Sequence, residues 1–355
     1  MEKLTRAGNL LIALTLISAS GCKKNGGGIS AGNVYVSGAL MEGSGSDAIA
    51  VYWSGSTPVD LTSITGNTSY AVGEAVAISG NDVYVVGYEE SPNGDETATI
   101  WKNGVGTALP SGSAVSSASA ITIQGSDVYI AGTMLNNGVG YEAVYWKDGV
   151  EATLPNFTTR NSAAATGIAV QGSDVYVTGY YTAQNSASVA VYWANGTEYA
   201  LTDSTSSANA TGIALQGSNV YISGWIEKAG LSTATYWLNG SPTSLSNGTK
   251  FTMATGIALQ GDNVYISGAG STIDSNGGLK YIASSYLMYW TNGILQNPAD
   301  SANQSATMTA GAVALSGSDV YIAGTFNGIA QYWKNGTPFP VSSQPSIGMG
   351  ITIAP

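Results

Sequence analysis

The sequence predicts an all-β chain written as a repeated unit, and three observations carry the prediction. A Val-Tyr-(Val/Ile)-x-Gly segment recurs with its tyrosine at Tyr35, Tyr84, Tyr129, Tyr176, Tyr221, Tyr265 and Tyr321, each copy a short β-branched and aromatic run closed by glycine. A tryptophan preceded by Tyr or Ile follows each copy, at Trp53, Trp101, Trp146, Trp193, Trp237, Trp290 and Trp333, so that of the eight tryptophans only Trp225 stands outside the column. Gly is 47 of 355 residues, and Tyr (21) with Trp (8) outnumbers Phe (4), a composition suited to strands joined by tight turns.

The chain opens on an address. Residues 1–21 read as a secretory signal: Lys3 and Arg6, the apolar run from Leu10 to Ile17, then Ser18-Ala19-Ser20-Gly21. That order of small residues ahead of Cys22 resembles a bacterial lipobox, which implies cleavage before Cys22 and its lipidation. An ordinary cleaved signal with the lone cysteine just beyond the cut is the alternative. Residues 22–31 form a glycine-rich tether, expected to be flexible, and residues 32–355 carry the repeats. Export with anchoring to a bacterial membrane, the outer membrane first, is the expected location. With one cysteine in the chain no disulfide within it can form.

Within a repeat the elements follow one another in a fixed order. Strand a is the Gly-Ile-Ala-Leu segment, whose aliphatic residue lies eight before the tyrosine, as in Ile168/Tyr176 and Ile213/Tyr221. A Gly-Ser-Asp turn leads to strand b, the Val-Tyr segment. Strand c is Ala-Val-Tyr-Trp and ends in Asn103-Gly104, Asp148-Gly149, Asn195-Gly196, Asn239-Gly240, Asn292-Gly293 or Asn335-Gly336, residues that accept the positive φ of a two-residue hairpin turn. The first copy is expected to turn at Ser54-Gly55. Strand d ends near Leu61, Leu109, Leu154, Leu201, Leu245 and Val341, while Pro298 interrupts the sixth copy and predicts a short or distorted strand there.

Tyr35 alone has no strand a before it, and the missing copy appears at the other end as Gly350 to Ile353. A last strand that belongs to the first repeat closes the array into a ring and removes its open edges. Repeats of this length with four short strands each therefore predict a seven-bladed β-propeller. Large aromatics fit where blades diverge from the axis, so the seven column tryptophans are expected to be core; a carbohydrate platform is the sharper alternative. Asp82, Asp127, Asp174 and Asp319 are expected to accept turn N–H groups, and Asn33, Asn219 and Asn263 in the same column argue against a repeated calcium site.

Residues 210–225, Ala-Thr-Gly-Ile-Ala-Leu-Gln-Gly-Ser-Asn-Val-Tyr-Ile-Ser-Gly-Trp, resemble the SBBP propeller repeat of bacteria. The alternation of Ala-Val-Tyr-Trp-x-Asn-Gly with a Gly-Ile strand is similar to HAF-type extracellular repeats, although the Leu-Gly-Thr-Leu-Gly-Gly run of those repeats is absent. The resemblance covers residues 32–355 and implies a propeller on an exported protein, with no single activity attached.

Composition excludes more chemistry than it suggests. There is no histidine, which removes Ser-His-Asp and Cys-His pairs, a His general base and the ordinary zinc sites. A formal charge of −11 argues against a nucleic-acid partner. No cofactor or metal site is implied, and a monomer is expected. The long b-to-c connections are expected to be variable loops on one face, where binding residues gather. Their candidates are Tyr88, Glu89, Glu90, Tyr141, Glu142, Tyr180, Tyr181, Trp225, Glu227 and Tyr281, aromatics and acids suited to a glycan, peptide or protein ligand. Packing within their own loops is the alternative for the aromatics. A glycosidase remains open, because a carboxylate pair needs no histidine, and Glu89, Glu90, Glu142 and Glu227 are its candidates. A purely structural surface protein is the third reading. Asp203-Ser204-Thr205 and Asp300-Ser301-Ala302 resemble acceptors of bacterial O-glycosylation.

Overall fold

The computed structural model describes residues 32–42, 47–61, 63, 64, 66, 70–113, 115–136, 140–155, 162–276, 279–296 and 308–355. The signal, Cys22, the tether, Pro298 and Asp300 to Ala302 lie outside these residues, as does the side chain of Tyr281. Every regular element among the described residues is a strand. The chain begins with β1 (Val34–Glu42), β2 (Asp47–Ser54) and β3 (Thr57–Asp60). It continues through β4 (Tyr70–Ser79), β5 (Asp82–Glu90), β6 (Glu96–Lys102) and β7 (Val105–Ala108), then β8 (Ser116–Gln124), β9 (Asp127–Asn136), β10 (Gly140–Lys147) and β11 (Val150–Thr153). The next runs are β12 (Ser162–Gln171), β13 (Asp174–Thr182), β14 (Ser188–Ala194) and β15 (Thr197–Ala200), then β16 (Ala208–Gln216), β17 (Asn219–Lys228), β18 (Leu231–Leu238) and β19 (Ser241–Ser244). The chain finishes with β20 (Phe251–Gln260), β21 (Asn263–Asn276), β22 (Leu279–Thr291) and β23 (Ile294–Gln296), followed by β24 (Met308–Ser316), β25 (Asp319–Phe326), β26 (Ile329–Lys334), β27 (Thr337–Pro340) and β28 (Ser346–Ile353).

Five of these runs, from β8–β11 to β24–β27, are separate four-stranded antiparallel sheets. The other eight strands make one larger sheet. In it β28 pairs antiparallel with β1 from Val34↔Ile353 to Leu40↔Ser346, β1 pairs with β2, and β2 with β3. This set meets β4–β7 through a single parallel pair, Ala48↔Tyr70. First strands lie beside one another in the order β28, β4, β8, β12, β16, β20 and β24, and β24 packs against β28. The fold is of β-propeller type.

Strand a is longer than its Gly-Ile-Ala-Leu signature, because a β-bulge lets pairing continue past it. In β12 the register shifts between Ala165 and Gly167, leaving Thr166 as the extra residue, and the six other first strands bulge at the equivalent place. The bulge presses backbone onto strand b. A Cβ on Gly179 would come within 1.9 Å of the Ala164 carbonyl oxygen, which is why the Val-Tyr segment ends in glycine.

Seams between sheets hold the core. All seven column tryptophans are at most 1% exposed. Trp193 lies with Val177 and Val191 of its own sheet and with Tyr129, Ala131, Ala143 and Leu154 of the sheet before it. The buried Leu column, with Val341 in the last copy, extends six of the fourth strands by one bond, as Leu109 N–H donates to Ala98 O at 2.8 Å. β23 has three residues where the other fourth strands have four.

Turn geometry agrees with the sequence in six copies. Asn103 and Gly104 adopt φ of 51° and 84°, and the other five pairs behave alike. The first copy departs: the turn residues are Gly55 and Ser56, since Ser54 pairs with Thr57, so glycine at the first central position (φ 61°) sets that turn. The Asp column also has a different role from the one expected. Asn103 Oδ1 accepts from Val83 N–H (2.9 Å) while its Nδ2 donates to Asp82 (2.7 Å); Asn195 with Asp174 and Asn335 with Asp319 repeat the clasp. Both turns of a sheet end side by side, so the side chain of one satisfies the backbone of the other; Asp82, Asp174 and Asp319 accept from an amide side chain, while Asp127, whose partner turn carries Asp148, accepts from Lys147 at 2.9 Å.

Candidate functional site

The candidate residues gather at the end of the molecule opposite those turns, and they sit on strands. Tyr88, Glu89 and Glu90 end β5; Tyr141 and Glu142 begin β10; Tyr180 and Tyr181 lie in β13; Trp225 and Glu227 lie in β17; Tyr281 is in β22. The expected loops are therefore extended hairpins. The longest, read as an irregular stretch from Ala269 to Tyr286, pairs from Ala269↔Leu287 to Asn276↔Leu279 as β21 and β22.

Strand register sorts the candidates onto two faces. Tyr88, Tyr180 and Trp225 occupy one column of strand b, opposite Val72, Ala164 and Asn209 of the respective first strands. All three are half-buried. Tyr70 stacks on Tyr88 with ring centroids 6.5 Å apart, and burial pushes the Tyr180 phenol up from its usual value. Trp225 Nε1 and Asn209 Oδ1, a donor and an acceptor on paired residues, are both closed off from solvent with no hydrogen-bond partner among the described residues. Tyr181 faces the other way and packs on the Trp193 cluster.

The acids divide by what they hold. Glu89 is 2% exposed and accepts from Ser63 Oγ at 2.9 Å and from Ile64 N–H at 2.9 and 3.1 Å, clamping the connection between β3 and β4. Glu142 is buried and accepts from Asn136 Nδ2 at 3.1 Å. Glu90 lies opposite Glu96, and Glu227 is exposed opposite Ser232. The Ser91–Asp95 turn closes on itself, with Gly94 N–H on Ser91 O and Asp95 N–H on Ser91 Oγ. Among the described residues no group of three Asp or Glu side chains is placed to hold a metal ion.

A groove of ≈490 Å³ runs between the β12–β15 and β16–β19 sheets, lined by Leu201, Thr202, Asp203, Thr205, Ile226 and Pro242. Asp203 accepts from Thr205 Oγ1 (2.5 Å) and Thr205 N–H (3.0 Å), which holds its carboxyl below the usual range and fixes the Asp203-Ser204-Thr205 loop. Asn209 and Ser63 escaped the sequence reading, since each matters only through a residue far along the chain.

No protein-family model and no curated protein matches the sequence. Among solved structures the chain is similar to a Mycobacterium tuberculosis puromycin-hydrolyzing peptidase, with a TM-score of 0.56 and 11% identity over 88% of this chain and 52% of that one. The chain thus spans about half of that protein, and the likeness is one of fold. Weaker similarity links it to an Aleuria aurantia lectin mutant in complex with alpha-methyl-L-fucoside (TM-score 0.41, 12% identity, 75% of this chain and 94% of that chain). TolB from Acinetobacter baumannii gives 0.39 at 13% identity, over 89% of this chain and 82% of that chain.

Proposed function

We propose that this chain is a lipid-anchored binding propeller of seven blades, tethered through Cys22 to a bacterial envelope membrane and presenting its hairpin end to a glycan, peptide or protein. The blade count takes the eight-stranded sheet as two blades joined at one residue pair, with β28 as the first blade's inner strand. Ring closure is supported by the β28–β1 ladder and by the packing of β24 on β28. The observation that carries the binding reading is the column of half-buried aromatics, Tyr88, Tyr180 and Trp225, on one register level of rigid strands, with Trp225 Nε1 and Asn209 Oδ1 left unsatisfied beside it. Half-buried aromatic faces suit a hydroxyl-bearing or peptide ligand. The two buried acids favour binding over glycoside hydrolysis, because Glu89 and Glu142 already hold the scaffold.

The test is a screen of glycans and envelope proteins with the exported chain carrying Cys22→Ser, beside the same chain with Tyr180→Ala and Trp225→Ala. Loss of binding in the double variant with an unchanged melting temperature supports the aromatic column, and equal binding refutes it. Hydrolysis of a panel glycan that disappears in Glu142→Gln would replace this reading with an enzyme. Recovery of the wild-type chain in membranes, and of Cys22→Ser in the soluble fraction, tests the anchor.

A further inference from the structure

Inner strands of this fold are almost free of charge. β28, β4, β8, β12, β16, β20 and β24 carry one carboxylate between them, Glu74 in β4, and no Lys, Arg or Asp. Glu74 is the bulged residue of its strand, between Gly73 and Ala75. In the next four sheets that place is taken by Ser119, Thr166, Thr211 and Thr255. Each of these hydroxyls donates across the seam to a carbonyl of the following inner strand: Ser119 to Ala165 O (2.7 Å), Thr166 to Ala210 O (2.8 Å), Thr211 to Ala254 O (3.0 Å) and Thr255 to Gly311 O (2.9 Å). In the first three pairs the acceptor is the residue just before the next bulge.

Applied to β4, the same register pairs Glu74 with Ala118 O on β8. A carboxylate meeting that carbonyl sets acceptor against acceptor, whereas a carboxylic acid supplies the O–H. The surroundings favour the acid. β8 and β28, which flank β4, have no ionisable side chain. β5 contributes Asp82, Tyr84, Tyr88, Glu89 and Glu90, β1 Tyr35 and Glu42, and β2 Asp47 and Tyr52. Lys102 at the far end of β6 is paired with Asp82 at 2.7 Å. Glu74 is half-buried, and the desolvation of its carboxyl, with next the like charge of Glu96, pushes it up to about 7. A second ladder is also interrupted on this side. Gln124, Gln171, Gln216 and Gln260 each donate to a turn carbonyl of the next sheet, and Ser79 stands at that position in β4.

We propose that Glu74 is the neutral acid that laces β4 to β8 by donating to Ala118 O, and that its ionisation loosens this seam, making the joint beneath Tyr88 responsive to pH. Only Gly73 separates Glu74 from Val72, which pairs with Tyr88, so the joint borders the candidate binding column.

Hydrogen exchange of the full chain at about pH 5.5 and about pH 8.5, corrected for intrinsic exchange, tests this. Peptides covering β4 and β8 are expected to lose about tenfold or more of their protection at the higher pH, while β12 and β16 stay unchanged. Glu74→Gln, which keeps a donor, and Glu74→Thr, which restores the hydroxyl of the other sheets, are each expected to remove that difference. Infrared spectroscopy of the wild type with labelled glutamate should show one protonated carboxyl near neutral pH. Equal protection of wild-type β4 and β8 at both pH values, the same pH response in a folded Glu74 variant, or no protonated carboxyl in the wild type overturns the proposal.

Discussion

Replacing Trp193 by alanine tests the seam architecture at one point, and its size follows from the packing. The indole is 1% exposed and fills the space between β13–β14 and Tyr129, Ala131, Ala143 and Leu154 of the preceding sheet. An indole buries about 200 Å², which at about 25 cal/mol per Å² sets an upper bound near 5 kcal/mol. Hydrogen-bonded strands line the hole on both sides and limit its collapse, so a loss of about 3–5 kcal/mol is expected. One correction separates equivalent positions. Trp146 Nε1 donates to Pro110 O at 2.6 Å, whereas Trp193 Nε1 has no partner among the described residues and part of its burial is offset by desolvation. Trp146→Ala should therefore cost about 1 kcal/mol more than Trp193→Ala. Urea unfolding followed by circular dichroism, with unchanged m-values as a control, measures both. A Trp193→Ala chain that unfolds like wild type yet loses ligand binding would refute the core assignment and restore a tryptophan platform.

Three further predictions rest on single contacts. Glu89→Gln weakens the acceptor for Ser63 and Ile64 and should cost about 1.5–3 kcal/mol, with faster hydrogen exchange confined to the β3–β4 connection and β5. Asn103→Ala loses both the residue suited to a φ of 51° and the clasp to Asp82 and Val83, about 1–2 kcal/mol by chemical denaturation, and Asn103→Gly should recover part of it. Glu74 makes stability depend on pH: its folded value of about 7 lies above the ordinary 4.5, so the folded state holds the extra proton between them. Its contribution is fully present below about pH 4.5 and is lost as pH rises through about 7, roughly 3 kcal/mol in all; comparing Glu74→Gln with wild type across that window should show the slope only in wild type.

Where physics is local or repeats along the chain, the sequence was readable. Asn-Gly pairs declare their turn because few residues accept positive φ, and the Trp and Leu columns declare a core because a large apolar group recurs at fixed distance from glycine. The hairpin extensions carrying Tyr88, Tyr141 and Trp225 were less visible, since their polar and aromatic mixture reads equally as loop until a paired strand is seen. Least visible were contacts that join distant residues. Glu89 looked like an available acid because Ser63 lies 26 residues away, and Thr166 looked like an ordinary strand residue because its acceptor belongs to the next sheet. Asp82, Asp174 and Asp319 misled for a related reason: the Asn partner of each sits on the far turn of the same sheet.

The claim that the hairpin end is the working face can be met directly by hydrogen-exchange footprinting with a ligand taken from the binding screen. Protection is expected in the peptides carrying Tyr88, Tyr180 and Trp225, with the Asn103, Asn195 and Asn335 turns unchanged. Protection at those turns instead, or a screen from which no glycan, peptide or envelope protein is retained, would contradict it.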